Sequence, residues 1–184
     1  MIKMIKAILM DFGDTIVVEE EGKRLSDMEL KPVAGAGKFL EEFSSVPIMI
    51  ISNTIHSNHR DIEKLLEELG FIRHIRRVIT SLDFGSPKPD PGIYQSALEP
   101  LGVKPNEAVM IGDRMDVDIE GAHRAGIVSI HLHWRSRHDD KKAPSLVEPT
   151  YRVASFAEAS KVLRKLMPGG SCTPDPSTAN RSGA

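Results

Sequence analysis

Cysteine is nearly missing from this chain: Cys172 is the only one in 184 residues. A lone thiol builds neither a disulfide framework nor a cysteine zinc cluster. A reduced, cytoplasmic setting is the expectation that follows. Long apolar runs are missing too, and no stretch approaches the length of a membrane span. The opening MIKMIK carries lysines, but the apolar stretch behind it is too short for a signal peptide and has no small-residue cleavage pattern. An excess of one charge is also absent. The formal net charge is −2, with acidic and basic residues mixed along the chain, which argues against a dedicated nucleic-acid surface. No internal repeat is present. A chain of this length can bury a real core as one domain of ordinary size.

What the chain does have is a succession of short apolar runs alternating with helical patterns. Ile5–Met10 reads as the first strand, and the polar stretch Phe12–Lys31 as a short hairpin or flap with Glu19, Glu20 and Glu21 at a solvated tip. A helix follows over Ala36–Phe43, with Phe39, Leu40 and Phe43 at helical spacing. Ile48–Ile51 is the second strand and His59–Leu69 the second helix, stopped by Gly70. Ile75–Thr80 is a weaker strand. The loop Ser81–Pro91 carries prolines at alternate positions, which impose an extended path. Helix Gly92–Leu101, strand Ala108–Ile111, helix Asp116–Ala125 and strand Ile127–Leu132 come next. Residues 135–149 read as a surface loop, Tyr151–Ala154 as a short last strand and Phe156–Leu166 as a final amphipathic helix. Pro168–Ala184, rich in Gly, Ser, Thr and Pro, is expected to be a disordered tail. This alternation implies an α/β fold with a mainly parallel sheet and right-handed crossovers.

In such a sheet the carboxyl ends of the strands gather along one edge, where ligands bind. Three of those ends carry polar chemistry: Asp11, Ser52-Asn53 and Asp113. Taken singly, Asp11 followed by Gly13 reads equally well as an ordinary turn. Together with Asp118, one turn past Asp113, and with Lys88 in its stiff loop, it forms a more specific set. Clustered carboxylates repel unless a cation neutralises them, and an all-oxygen set suits Mg²⁺. A Ser hydroxyl, backbone N–H groups and a Lys at the same edge suit a phosphate.

The order of these segments, an apolar strand running into DFGDT, then IISNT, then SPKPDPGIY, then MIGDRMDVDIEGAHRAG, resembles the haloacid dehalogenase (HAD) superfamily of hydrolases. The fold this implies is a three-layer Rossmann-like sandwich with a mainly parallel central sheet, over residues 1–167. The resemblance implies a Mg²⁺-dependent phosphatase. Asp11 would be the nucleophile that forms an aspartyl phosphate and, with the Gly13 carbonyl, Asp113 and Asp118, would hold the metal. Ser52 and the Asn53 amide would bind the phosphoryl group, and Lys88 would balance the charge of nucleophile and phosphate.

One position departs from the family. Its hydrolases usually carry a second Asp two residues after the nucleophile, which protonates the leaving group and then activates water. Here that residue is Gly13, with Asp14 one place later. Neighbouring side chains in an extended segment point to opposite faces, so Asp14 is expected to stabilise the turn instead. His56 and His59 are the other candidates for the missing acid. Gly13 also keeps open an alternative from another class, a weak or inactive phosphate-binding module. Neither gap that holds a cap domain in this family is long enough for a large one. The site is therefore expected to be open to a small or macromolecular phosphorylated substrate, unless a homo-oligomer covers it. His131, His133 and His138 lack further ligands for a zinc site. Trp134 and Arg135 either face the substrate or edge the sheet.

Overall fold

The computed structural model describes residues 4–20, 22, 23, 27, 29–135 and 147–167. The expected tail, Pro168–Ala184, lies outside the described residues, as do Glu21, His138 and most of the surface loop.

Six parallel strands form one sheet in the order β3-β2-β1-β4-β5-β6. They are β1 (Ala7–Met10), β2 (Ile48–Ser52), β3 (Arg77–Thr80), β4 (Ala108–Gly112), β5 (Val128–Leu132) and β6 (Tyr151–Val153). Every residue of β1, β2, β4 and β5 is buried, the signature of strands covered on both faces. Alternation along β1 explains how. Ile8 and Met10 join Phe39, Leu40, Ile62, Leu66, Phe156 and Leu163 on one face. Ala7 and Leu9 join Ile93, Tyr94, Ala97 and Ala122 on the other.

The first layer is therefore α1 (Ala36–Glu42), α2 (His59–Glu68) and α6 (Phe156–Leu166). Its centre is aromatic, with Phe39 4.8 Å from Phe43 and 4.9 Å from Phe156, centroid to centroid. The opposite layer is α4 (Pro91–Leu98) and α5 (Glu120–Ala125). Helix α2 starts on a capping box in which Asn58 Oδ1 accepts from Arg60 N–H at 2.8 Å and Asp61 Oδ2 accepts from Asn58 N–H at 2.8 Å.

The chain leaves β1 for β2 on one side and later returns to place β4 on the other. The cleft between the ends of β1 and β4 is thus the point where strand order reverses, and Asp11 and Asp113 stand there.

Three expectations needed correction. Residues 81–91 do not form a wholly extended loop. A helical turn, α3 (Ser81–Phe84), starts it, because Thr80 Oγ1 accepts from Asp83 N–H at 3.1 Å. Helix α4 ends at Leu98, since Pro100 has no N–H to continue it, and Glu99–Leu101 tightens into a 3₁₀ turn. The helix expected from Asp116 begins as a π turn, Met115–Ile119, before α5. Among the described residues, the stretch from Phe12 to Lys31 holds only short bridges, Gly13 with Val17 and Val17 with Pro32, and α2 with a 3₁₀ turn is all that separates β2 from β3.

Candidate active site

The Asp11 backbone N–H still bonds to the Ile111 carbonyl at 2.9 Å, so Asp11 belongs to the sheet ladder while its side chain stands at the sheet edge. Its carboxylate receives the Lys88 ammonium, with Nζ donating to Asp11 Oδ1 at 2.5 Å and to Asp118 Oδ1 at 2.6 Å. Lys88 is only 2% exposed, and a buried ammonium is tolerable because both partners are charged and close. Asn53 places it: Asn53 Oδ1 accepts from Lys88 N–H at 2.8 Å, and Asn53 Nδ2 donates to the Lys88 carbonyl at 2.9 Å. The strand-end residue after β2 thereby grips the loop that carries the lysine. The Asn53 amide side chain was not anticipated in this role.

Asp118 reaches Lys88 from the π turn. Its second oxygen accepts from Arg114 N–H at 3.1 Å. Two glycines make this approach available. A Cβ on Gly112 would overlap the Asp118 carboxylate, and one on Gly121 would overlap the Tyr94 hydroxyl, which closes the π turn by donating to the Val117 carbonyl at 2.8 Å. The spacing of the GD-R-MDVD-IEGA segment thus follows from contact geometry. Asp113 is held from β5, where His131 Nε2 lies 2.8 Å from the Asp113 carbonyl oxygen.

Oxygens of Asp11, Asp113 and Asp118 lie within 4.8 Å of one another, the one group among the described residues with the makings of a metal site. Three carboxylates face one ammonium. Burial pushes Asp11 up to about 7, against the pull of Lys88 and with a further push from Asp118. Burial, then Asp11 and Asp118, push Asp113 up to about 9. Burial opposes the charge on Lys88, but Asp11 and Asp118 outweigh it and raise the ammonium to about 12. The guanidinium of Arg114 does not fill the deficit, because Asp116 binds it at 3.0 and 2.7 Å. A site this short of positive charge, whose three candidate ligands are all carboxylate oxygens, fits a divalent cation.

Ser52 is buried at the end of β2. Of the candidate acids, His59 Nδ1 is 3.2 Å from Asp83 Oδ2 and the His59 backbone N–H donates to the same oxygen at 2.7 Å, while His56 is exposed. Asp14 is 1% exposed and sits at φ 51°, a left-handed conformation that Asp tolerates better than most residues. Its Oδ1 accepts from Glu19 N–H at 2.8 Å and pairs with Arg135, and its carbonyl accepts from Trp134 Nε1 at 2.6 Å. Trp134 and Arg135 therefore tie the turn after β1 to the end of β5.

Glu19 corrects the expectation of a solvated tip. It is half-buried, and its carboxylate occupies the space where a Cβ on residue 13 would stand. Glu20 does behave as a surface residue, paired with Lys23. The sequence signal for Glu19 was slight: an acidic residue a short turn beyond a glycine in a place where a side chain would have obstructed it.

A family model described as haloacid dehalogenase-like hydrolase matches residues 5–126. The chain belongs to this family of hydrolases. Over 104 residues it is 38% identical to glyceraldehyde 3-phosphate phosphatase of Methanopyrus kandleri, covering 56% of this chain and 44% of that one. Over 91 residues it is 36% identical to phosphoserine phosphatase of Thermus thermophilus, covering 49% of this chain and 36% of that one. The chain thus spans less than half the length of these curated relatives. A crystal structure of an uncharacterized protein from Listeria monocytogenes serotype 4b superposes with a TM-score of 0.77 at 27% identity, over 88% of this chain and 98% of that one. Among the described residues, no helix is long and apolar enough to cross a membrane.

Proposed function

We propose that this chain is a Mg²⁺-dependent phosphomonoester phosphatase that works through an aspartyl phosphate on Asp11. The observation that carries the reading is the Asp11 carboxylate at the switch point of the sheet, bonded to a buried lysine and flanked by two further carboxylates. The phosphatase names of the curated relatives support it.

Asp11, Asp113, Asp118 and the Gly13 carbonyl would hold the ion. Bound there, Mg²⁺ supplies the positive charge that lets a phosphate dianion approach a carboxylate. The Asp11 carboxylate attacks phosphorus, and the second bonded partner of Lys88, Asp118, keeps the ammonium aimed at the nucleophile. Lys88 offsets charge on Asp11 and on the phosphoryl oxygens. The Ser52 hydroxyl and Asn53 N–H bind those oxygens, while the Asn53 side chain fixes the Lys88 backbone. Such a reaction depends on positioning and charge balance more than on bond chemistry supplied by the protein.

We extend the reading to a core domain without a large cap and to a cytoplasmic setting. The substrate is a phosphorylated small molecule or macromolecule, and a homo-oligomer is one way to cover the open site. The competing reading, a weak or inactive phosphate-binding module, draws on Gly13 and its lack of an acid. An aryl phosphate assay with and without Mg²⁺ separates them. The phosphatase reading expects Mg²⁺-dependent turnover that falls at least about 10⁴-fold in Asp11→Asn, the scale of losing a catalytic nucleophile. Equal turnover in a clean Asp11→Asn preparation excludes the aspartyl phosphate.

A further inference from the structure

An unpaired edge strand is a template for another strand. Among the described residues, β3 ends the strand order and bonds only to β2. Successive residues of a strand turn their backbone groups to opposite sides. Arg76 N–H donates to the Ile48 carbonyl at 2.8 Å, so Val78 and Thr80 face β2 as well. The N–H and C=O groups of Arg77 and Ile79 point the other way, out of the sheet. Beside them runs a groove of about 290 Å³, walled by Glu63 of α2, Asp83 and Phe84 of α3 and Ser96 of α4. The Val78 side chain packs into the core on one face of the sheet and Ile79 into the core on the other, so the floor of the groove is strand backbone.

The two ends of this edge differ. At the amino end Arg73, Arg76 and Arg77 are all exposed. At the carboxyl end stand Asp83 and, one turn along α2 from the His59 that it binds, Glu63. Apolar surface is gathered at the acidic end. Four large apolar side chains are exposed among the described residues, and three of them, Ile55, Leu82 and Phe84, belong to this end. Ile55 is brought there by Thr54, whose N–H donates to Ser81 Oγ at 2.9 Å and whose carbonyl accepts from it at 3.0 Å.

We propose that the β3 edge is the contact between two copies of this chain. A two-fold axis through the middle of β3 pairs the strand antiparallel with itself. The outward backbone groups of Arg77 and Ile79 then find partners, and the two sheets join into one. The same rotation lays the arginine end of each copy on the acidic end of the other, so both charge contacts form together. Leu82 and Phe84 leave water in the same step. The strip carries its own complement, which is why a second copy fits it better than a foreign strand. The contact does not depend on the phosphatase reading of Asp11.

The test is sedimentation velocity on the full chain at up to about 100 µM, where even a contact of modest affinity is populated. The wild-type chain should sediment as a dimer, and added salt should weaken it. Arg76→Glu/Arg77→Glu makes both ends acidic and should give a monomer. Glu63→Lys/Leu82→Lys makes both ends basic, leaves the bonds of Asp83 in place, and should also give a monomer. Mixed in equal amounts, the two variants should form a dimer with one chain of each, which a folding defect in either would prevent. Hydrogen exchange reads the pairing directly. The Ile79 N–H should exchange at least about tenfold more slowly in the dimer than in either variant alone, with protection in β1 and β4 unchanged. The proposal is overturned if the wild-type chain is a monomer throughout, if its dimer survives in both variants, or if the mixed variants stay monomeric.

Discussion

The two halves of the candidate site are built by different means. Asp11, Asp113 and Lys88 are held by the sheet and by side chains rooted in it. Asp11 is still in the β1–β4 ladder, Asp113 follows directly on β4, and Asn53, directly after β2, clamps Lys88. The turn from Gly13 to Glu19 has no ladder to rely on. It is held by bonds from Trp134 and Arg135, more than a hundred residues further along the chain. The first half is rigid because its scaffold is buried on both faces. The second is anchored in the core by the buried Ile16 and Val17 and by the Val18 N–H to Lys31 carbonyl and Val33 N–H to Ile16 carbonyl bonds, both 2.8 Å, while Trp134 and Arg135 fix Asp14 and Glu19. Charge separates the halves as well. The sheet-edge half stores unfavourable carboxylate repulsion, whereas the flap half balances Asp14 with Arg135.

Removing Lys88 should sharpen this contrast most. Lys88→Met leaves Asp11 and Asp118 buried without their shared counter-charge, and should destabilise the fold by about 3–5 kcal/mol at neutral pH. The loss should shrink at pH 5, where the carboxyls take up protons. Urea unfolding at the two pH values measures it. A loss under about 1 kcal/mol at pH 7.5 would mean that the cluster is not under the charge strain described.

Next in size is the pH dependence of the metal-free protein. Asp11 and Asp113 are raised from 3.8 to about 7 and about 9 in the folded chain. The folded state therefore binds more protons than the unfolded state across that window, and stability falls as pH rises from about 4 to about 9. Melting with chelator present should drop over this range, and Asp113→Asn should flatten the curve. Added Mg²⁺ should raise the melting temperature more at pH 8 than at pH 5, where protons compete for the same oxygens. A melting temperature that climbs with pH in chelator contradicts the cluster's electrostatics.

The smallest expected effect belongs to the flap half. Arg135→Ala leaves the buried Asp14 carboxylate without its guanidinium and should cost about 1–3 kcal/mol. The sheet should remain intact, so hydrogen exchange should quicken around residues 13–19 and stay slow in β1 and β4. Uniform loss of protection across both regions would show that the two halves are not separable.

Much of the sheet-edge half was legible in the sequence. Parallel strands buried on both faces read as short continuous apolar runs, so their ends, and the polar residues on them, can be located by inspection. Asp11, Ser52-Asn53 and Asp113 were located in this way, whereas Lys88, in a loop, and Asp118, one turn past Asp113, joined the candidate set through the order of the surrounding motifs. Helix interiors were legible for the same reason, as with Phe39 and Leu40 on α1. Less visible were features set by local backbone competition: the Thr80 cap that turned part of a loop into α3, Pro100 ending α4, and the π turn ahead of α5.

The pattern of apolar runs and strand-end carboxylates, determined by the sequence alone, defined an α/β fold with a mainly parallel sheet and an acidic edge, because periodicity and burial are local in sequence. Tertiary structure decided the rest. It folded Glu19 back beside Gly13, committed Asp14 to Arg135 and Trp134, and gave the Asn53 side chain to Lys88. Those contacts join side chains far apart in sequence across short distances in space, and no spacing rule along the chain encodes where a flap will close.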